Sequence, residues 1–596
     1  MVEPPEMPIR SRGEMVRDTI EALRARAHLL QNWNRFYKWS ILGGLTGTLG
    51  GLAAAAFVWL LESLDGVVGA FTSAAPAPWL LPLVPALGGL LVGVLRARFT
   101  PEAFDSPGAT DRAIDAIHDD NGRLPRRTSL MTAVTSAITL STGGSAGREG
   151  PTVLVGAGIG SIAARIIEGL RLPERLRFSF TEEDIRVLAI CGVAAGLGAV
   201  FRAPIGSALF AVSVLYIYGM EDDYLGPSLV SSLTSYLLFS LFFGFEPMFR
   251  APFAWDLDLF DIAVVLIIGA TASLVGITYI RVFYGVFERF RRLAIPNWLK
   301  PALGGLALGL LGLAVPRVMG MGYGTIQNMI DYRLGAGMLL LLVFGKIVAT
   351  SLTIGSGGAG GDMAPALFIG AALGGLIGSA AVQLFPDAAA NPSLYVIAGM
   401  GAVYASVAKV PLATAILLCE STRNFTLIVP LVIANTAASL ASGNHTIYAS
   451  QHASATREQQ DVLRRVPVER IYTPEPVTAA ADLSVIGLLR LIGSTGHHGF
   501  PVLDAADRLV GVVSWKDAQT VPYAGGAREQ TSISEIMSAE PVTVVPTDSS
   551  RVALDLIERH GIGRVVVVDP ADSDHVIGVV TKQDLIKAYA GFVPMD

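Results

Sequence analysis

Long stretches without a charged residue dominate the chain from residue 41 to residue 450. Three of the longest are Gly66–Leu95, Tyr224–Phe245 and Met363–Pro386. About twenty apolar residues in a helix are enough to cross the hydrocarbon core of a bilayer. Residues 41–450 carry 50 Asp, Glu, Lys and Arg in 410 positions, whereas residues 451–596 carry 32 in 146. We therefore predict a multi-pass membrane body in a lipid bilayer, followed by a water-soluble tail.

Composition excludes several other classes of protein. Of all residues, 52% are hydrophobic and 16% charged, and the formal net charge of −6 provides no basic surface for nucleic acid. The two cysteines, Cys191 and Cys419, lie in apolar stretches, so neither a disulfide framework nor a zinc site is expected. The GxGxxG run at Gly355–Gly360 lacks a preceding β-strand and a ribose-binding acid about twenty residues on. We expect a transport protein and not an enzyme.

An internal repeat divides the membrane body into two halves. Residues 143–151 align with residues 357–365 at an offset of 214, and Gly156 and Gly160 align with Gly370 and Gly374 at the same offset. Farther on, the counterparts of Gly192 and Pro204 stand 207 residues later. Duplicated halves with interrupted, glycine-rich segments at matching positions predict a transport site where the halves meet.

Each repeated segment has a glycine cluster, then a proline, then an apolar helix. This order predicts a helix N-terminus with free backbone N–H groups, which attracts small anions through the helix dipole. Glu149 lies at the first of these ends, where an ionised carboxylate would compete with a permeant anion, so we expect it to gate the pathway. Two alternatives stay open: close packing by small residues, and an ion pair of Glu149 with Arg148. Asp362, in the second segment, is a weaker candidate for a functional carboxylate.

The residues Gly147-Arg148-Glu149-Gly150-Pro151 resemble the GREGP signature of the CLC chloride channels and chloride/proton antiporters. The resemblance extends over about residues 36–450. It implies a membrane all-α inverted repeat with broken helices, a homodimer with a separate pore in each subunit, and chloride as the transported ion. A second signature, GxFxP, is met by residues 361–365 with Met363 in place of Phe. The anion-binding residues that the resemblance implies in these segments and before the final helix are Gly147, Gly150, Gly361, Met363 and Tyr448.

Two positions depart from the family pattern. The first filter motif falls in Asp105–Thr110, where either Ser106 or Gly108 takes the anion-binding position, so selectivity among halides and nitrate stays open. The proton-transfer glutamate of the antiporters corresponds here to Val214, which cannot carry a proton. Passive conduction is therefore the favoured prediction. Chloride/proton antiport and secondary transport of another small anion are the alternatives.

The tail also repeats itself. Residues 475–478 recur as 540–543, and 511–514 recur as 578–581, each within a pattern of Val-rich strands and amphipathic helices. This pattern resembles a tandem CBS pair, which implies a regulatory adenine nucleotide (ATP, ADP or AMP). In each copy a hydroxyl would face phosphate and an Asp would accept from ribose, and the alternative is that these residues only cap a helix. The residues in question are Ser514, Asp517, Thr581 and Asp584.

These patterns predict five segments. Residues 1–35 form a cytoplasmic segment with an amphipathic helix around Met15–Leu30, because early acidic residues do not fit a signal peptide. Residues 36–448 form the membrane body, 449–465 a linker, 466–523 the first CBS repeat and 531–592 the second. The positive-inside rule places the basic loop from Arg289 to Lys300 in the cytoplasm, and we expect the N-terminus and the tail to be cytoplasmic as well.

Overall fold

The computed structural model describes residues 12–73, 80–169, 182–251, 258–386, 391–453, 463, 466–522, 527–539 and 541–592. The chain divides into two compact units, Met1–His452 and Ala453–Asp596. For residues 12–36 only the backbone is described, so the predicted amphipathic face around Met15–Leu30 lies outside the described side chains. Most of the predicted linker also lies outside the described residues.

The described part of the first unit is helical throughout, as predicted. Short 3-10 turns connect several of its helices. In chain order the helices are α1 (Arg12–Ser73), α2 (Leu83–Phe99), α3 (Ala109–Asp119), α4 (Arg126–Ser141), α5 (Glu149–Gly169), α6 (Glu182–Phe201), α7 (Pro204–Ser213), α8 (Leu225–Phe243), α9 (Leu259–Arg292), α10 (Lys300–Ala314), α11 (Tyr323–Ile330), α12 (Ala336–Gly355), α13 (Met363–Leu384), α14 (Pro392–Ala408), α15 (Pro411–Thr422) and α16 (Ile428–Ala441).

Within the described residues, seven helices are long and apolar enough to cross a membrane. They lie in α1, α5, α6, α8, α9, α12 and α13. Other apolar helices are too short to cross, because the chain breaks at matching places in the two halves. Arg202, between α6 and α7, and Lys409, between α14 and α15, both adopt left-handed backbone angles, with φ of 55° and 62°. A proline, Pro204 or Pro411, then starts the next helix, where its missing N–H costs no hydrogen bond.

Glycines hold the paired helices of each half in close contact. A Cβ atom built on Gly156 of α5 would lie 2.1 Å from the carbonyl oxygen of Gly192 in α6. In the second half, a Cβ atom on Gly370 of α13 would lie 2.2 Å from the carbonyl oxygen of Gly399 in α14. No larger residue fits at either contact. The sequence repeat is therefore a repeat of helix packing.

Two threonines each accept a backbone hydrogen bond from the opposite half of the body. The backbone N–H of Ser145 donates to Thr353 Oγ1 of α12 at 3.0 Å, and that of Ala359 donates to Thr139 Oγ1 of α4 at 3.1 Å. Each bond is the counterpart of the other at the offset of 214. Both donors lie within the repeated segments and hold each segment against the opposite half.

Thr353→Val is expected to destabilise the body, because valine keeps the side-chain volume but leaves the buried Ser145 N–H without an acceptor. An unsatisfied buried donor costs about 1–3 kcal/mol. Thermal unfolding in detergent measures the effect, and Thr139→Val should match it. Thr278→Val is the control, since the Thr278 hydroxyl bonds only within its own exposed helix surface. Equal shifts for Thr353→Val and Thr278→Val would contradict this role.

The second unit is a small α/β unit built twice, as the tail repeat predicts. In the first repeat, β2 (Ala479–Ala480) pairs parallel with β3 (Gly499–Leu503), which pairs antiparallel with β4 (Leu509–Ser514). In the second, β5 (Thr543–Val544) pairs parallel with β6 (Arg564–Asp569), which pairs antiparallel with β7 (Asp572–Thr581). Strand β1 (Thr473–Pro474) adds to the edge of β7. The remaining helices are Val485–Thr495, Trp515–Ala518, Ala527–Gln530, Ser550–His560 and Lys582–Phe592.

Candidate functional site

The two repeated glycine segments meet in the body at a short antiparallel bridge. Gly147 N–H donates to the Gly361 carbonyl oxygen at 2.7 Å, and Gly361 N–H donates to the Gly147 carbonyl oxygen at 2.8 Å. The bridge brings the N-termini of α5 and α13, one from each half, next to each other. A Cβ atom on Gly361 would lie 2.5 Å from Gly150 N, so only glycine allows this approach.

Glu149 is the first residue of α5 and is fully buried. Neither of its carboxylate oxygens has a hydrogen-bond partner among the described residues. The carboxylate faces the backbone N–H of Ala364, in the first turn of α13, without normal hydrogen-bond geometry. A Cβ atom on Gly147 would lie 2.1 Å from Glu149 Oε2. The side chain of Glu149 therefore fills the space in front of the opposite helix end.

The alternative ion pair of Glu149 with Arg148 is not formed in the described structure. The Arg148 guanidinium instead lies over the ring of Tyr323, 5.3 Å from the ring centroid, and its Nε is buried without a hydrogen-bond partner. Arg148 and Arg202 also line a cavity of about 220 Å³, together with Glu62 and Tyr323. Two arginines therefore line this cavity, and one of them, Arg148, directly precedes α5.

The N-terminus of α3 carries the ambiguous filter motif. Gly108 stands directly before the helix with φ of 112°, a backbone conformation that favours glycine. The hydroxyl of Ser106 donates to Asp111 Oδ2 at 2.9 Å, and Ser450 N–H donates to Asp111 Oδ1 at 2.9 Å. Since the Ser106 hydroxyl is engaged with Asp111, the geometry favours Gly108 at the filter position. Sequence reasoning missed Asp111, although an acid in the first turn of an amphipathic helix was a visible signal.

Tyr448 is buried in the same region. Its hydroxyl lies 3.2 Å from the hydroxyl of Tyr404. It also faces the carboxylate of Asp362, without normal hydrogen-bond geometry. Asp362 and Met363 are both buried at the start of α13. The structure thus brings together most of the predicted anion-binding residues, namely Gly147, Gly150, Gly361, Met363 and Tyr448.

Val214, the predicted counterpart of the proton-transfer glutamate, follows the end of α7 and is 1% exposed. Its carbonyl oxygen accepts a hydrogen bond from Gln451 Nε2 at 2.8 Å. The next acid along the chain, Glu221, is paired with Arg186 at 2.6 Å and accepts from the Tyr216 hydroxyl at 2.6 Å. No protonatable side chain stands at position 214.

In the tail, both predicted hydroxyl–carboxylate pairs form helix caps. Asp517 Oδ2 accepts from the N–H and hydroxyl of Ser514 at 2.8 and 2.7 Å. Asp584 Oδ2 accepts from the N–H and hydroxyl of Thr581 at 2.9 and 2.6 Å. The capping alternative is therefore realised at both turns. Each cap uses Oδ2 of the carboxylate and leaves Oδ1 available to a ligand.

Arg564 distinguishes the second turn from the first. It pairs with Thr581 in the sheet of the second repeat, whereas Gly499 pairs with Ser514 at the matching place in the first. Its guanidinium donates to the Gly499 carbonyl oxygen at 2.5 Å, and burial lowers the pKa of Arg564. Sequence reasoning missed this residue, because its position opposite Thr581 depends on strand register.

Comparisons with known proteins agree with this arrangement. A family model described as voltage gated chloride channel matches residues 88–443, and a CBS domain model matches residues 468–521 and 533–591. A chloride channel protein of Ralstonia nicotianae, described as ClcB-like, is 32% identical over 437 residues, covering 72% of this chain and 98% of that relative. The voltage-gated ClC-type chloride channel ClcB of an Escherichia coli strain is 30% identical over 417 residues, covering 67% and 95%.

Solved structures share the fold of the chain. A CLC-type fluoride/proton antiporter is 26% identical with a TM-score of 0.59, covering 70% of this chain and 98% of that chain. A slow cyanobacterial Cl−/H+ antiporter is 23% identical with a TM-score of 0.61, covering 69% and 96%. A eukaryotic CLC transporter is 19% identical with a TM-score of 0.61, covering 92% and 98%. At these identities the last two similarities concern the fold alone.

Proposed function

Because the chain belongs to the voltage gated chloride channel family and carries two CBS domains, we propose that it conducts chloride passively through a pathway gated by Glu149. The observation that carries this proposal is the buried Glu149 carboxylate, which has no hydrogen-bond partner among the described residues and lies where two helix N-termini meet. Free N–H groups and aligned dipoles attract an anion there without a full positive charge that would trap it. The carboxylate occupies that position until it is protonated or turns away.

Passive conduction rests on Val214. An aliphatic side chain cannot accept a proton, and Glu221 is held in its pair with Arg186. A proton arriving at Glu149 therefore has no carboxylate at position 214 to continue to. Chloride can pass in both directions without a fixed proton exchange.

The protein in planar bilayers under a pH gradient is expected to show a reversal potential set by chloride alone. A proton gradient should not displace that potential, because no proton moves with each chloride. In liposomes, a chloride gradient should drive no uphill movement of protons. Sustained proton pumping at a fixed ratio to chloride would decide for antiport.

Chloride/proton antiport is the second candidate, and a specific observation favours it. Asp362 gives the pathway a second buried carboxylate beside Tyr448, which could substitute for a missing one at position 214. The related fluoride/proton antiporter adds support at 26% identity. The same liposome assay with fluoride and nitrate in place of chloride tests the anion preference. We expect little discrimination among these anions, because Gly108 offers only backbone donors.

We also propose that the CBS pair binds an adenine nucleotide at the turn Thr581–Asp584 and so biases the pathway. Asp584 Oδ1 would accept from a ribose hydroxyl, and Arg564, opposite Thr581, would meet the phosphates. The corresponding place near Ser514 has Gly499 instead of an arginine, and bulky Trp515 is exposed beside it. The second turn is therefore the better site.

Asp584→Ala is expected to weaken nucleotide binding about tenfold or more, because a lost hydrogen bond to a charged group costs about 1.5–3 kcal/mol. Calorimetry of the full chain with ATP, ADP and AMP measures it. Asp517→Ala, at the matching turn, is the control and should change affinity less. Absence of binding heat with all three nucleotides, from folded protein, would leave the tail as an assembly module.

We further propose a homodimer with a pore in each subunit and with the N-terminus and tail in the cytoplasm. Apolar side chains on α8 and α16, such as Leu241 and Leu440, are 73% and 74% exposed, as expected of surfaces that meet lipid or a second copy. The basic end of α9 includes Arg291 and Arg292, which favours the cytoplasmic side. Crosslinking in native membranes and protease access to the tail in oriented vesicles test both points.

A further inference from the structure

Asp362 is a buried carboxylate that passive conduction through a Glu149 gate does not require. It precedes α13, is 3% exposed, and neither of its oxygens has a hydrogen-bond partner among the described residues. Burying a carboxylate without partners is costly when it is ionised. We therefore expect the Asp362 carboxyl group either to take up a proton or to compete with an anion for the same position.

The groups around Asp362 are acids and phenols. Glu149 of α5 and Asp111 of α3 interact with it electrostatically as like charges when ionised. Four tyrosines also interact electrostatically with Asp362. They are Tyr279 and Tyr284 of α9, Tyr404 of α14, and Tyr448, which faces the carboxylate. No lysine or arginine forms an ion pair or a hydrogen bond with the Asp362 carboxylate among the described residues. Two carboxylates that share one site resist simultaneous ionisation.

Asp362 and a chloride ion would draw on the same donors. The Tyr448 hydroxyl and the N-terminus of α13 are the groups offered to an anion here, and the Asp362 side chain already faces that hydroxyl. An ionised carboxylate beside a chloride repels it, because two like charges then lie close together in a buried site of low effective dielectric. A protonated carboxyl removes this repulsion and supplies one O–H donor.

We propose that Asp362 is a second tethered carboxylate of the pathway, and that chloride binds beside Tyr448 only when Asp362 carries a proton. This inference rests on the proposed chloride function and adds a proton-linked binding step to it. One proton is taken up when chloride binds and returns to the same side of the membrane when chloride leaves, so the net charge of the site is unchanged and no proton crosses the membrane with the anion. Reciprocal linkage then makes chloride affinity fall as pH rises.

The test uses the full-length Glu149→Gln variant in detergent, so that the first carboxylate no longer titrates. Chloride binding is measured by calorimetry between about pH 5.5 and about pH 8, in pairs of buffers that differ in ionisation heat. In the upper part of this range, affinity should fall about tenfold per pH unit, the limit for one linked proton. The buffer comparison should show about one proton taken up per chloride bound.

The double variant Glu149→Gln/Asp362→Asn should bind chloride with less than about twofold change over the same range and without proton uptake. Asp362→Ser in the same background serves if the asparagine variant does not fold. Glu149→Gln/Asp261→Asn is the matched control, since Asp261 is a buried aspartate in the first turn of α9 whose carboxylate is already bonded to the Tyr395 hydroxyl at 2.5 Å. It should keep the pH dependence.

Two results would overturn the inference in distinguishable ways. Chloride binding that is already independent of pH in Glu149→Gln refutes the role of Asp362 and leaves the chloride function standing. Absence of chloride binding and flux at every pH, in both the parent and Glu149→Gln, refutes the chloride function and the inference with it.

Discussion

Glu149→Gln is expected to raise chloride flux about tenfold or more near neutral pH, because it removes a negative charge from the meeting point of α5 and α13 while keeping the size of the side chain. In the parent, the ionised carboxylate fills the space in front of Ala364 N–H. Glutamine can occupy the same space, but it neither repels chloride nor competes as strongly for the N–H donors. Chloride efflux from liposomes measures the change.

The same variant should have a shallower pH dependence than the parent. Acidification is expected to increase parent flux by protonating Glu149, a step that glutamine makes unnecessary. Any pH dependence that persists is assigned to Asp362 by the proton-linked step proposed above. Glu168→Gln is the control, because Glu168 belongs to the same helix but is exposed and only loosely paired with Arg123 at 3.5 Å. Flux and pH response equal to those of the parent would refute Glu149 as the gate.

Gly361→Ala is expected to abolish chloride flux and to lower stability by about 1–3 kcal/mol, the usual effect of overpacking. The added methyl carbon would lie 2.5 Å from Gly150 N and 2.8 Å from Gly150 Cα. Both atoms are backbone, so the clash cannot be relieved by turning a side chain. The bridge to Gly147 must open, and the two helix ends must move apart.

Gly337→Ala is the matched control for that substitution. Gly337 lies in the first turn of α12, is exposed, and has nothing within 4 Å of an added Cβ atom. Alanine there should leave flux unchanged and should not lower the unfolding temperature. Parent-like flux in Gly361→Ala would mean that the bridge is not part of the pathway.

Much of the fold followed from local patterns. The apolar runs predicted the spanning helices, and the Gly147–Pro151 signature predicted the family, which the family match confirms. The offsets of 214 and 207 predicted which glycines occupy equivalent contacts. Such features can be predicted from a sequence because a helix that crosses a bilayer needs a long apolar segment, and close helix packing needs small residues at a fixed spacing.

The candidate site was only partly accessible in this way. Sequence identified Glu149 from its place at a helix start, but it left the register of Ser106 and Gly108 open. The hydrogen bond of Ser106 to Asp111 favours Gly108, and Asp111 in turn accepts from Ser450, more than three hundred residues later in the chain. A pattern within one segment contains no information about such a partner.

By itself the sequence determined the membrane body, the duplicated halves and the CBS pair, and it led to the hypothesis that Glu149 is the gate. The tertiary structure alone decided that Asp362 faces Tyr448, that Arg564 stands opposite Thr581, and that Arg148 turns to Tyr323 instead of pairing with Glu149. The physical reason is that hydropathy and small-residue spacing act along one helix. The charge and the donors that an ion meets come instead from side chains that only packing brings together.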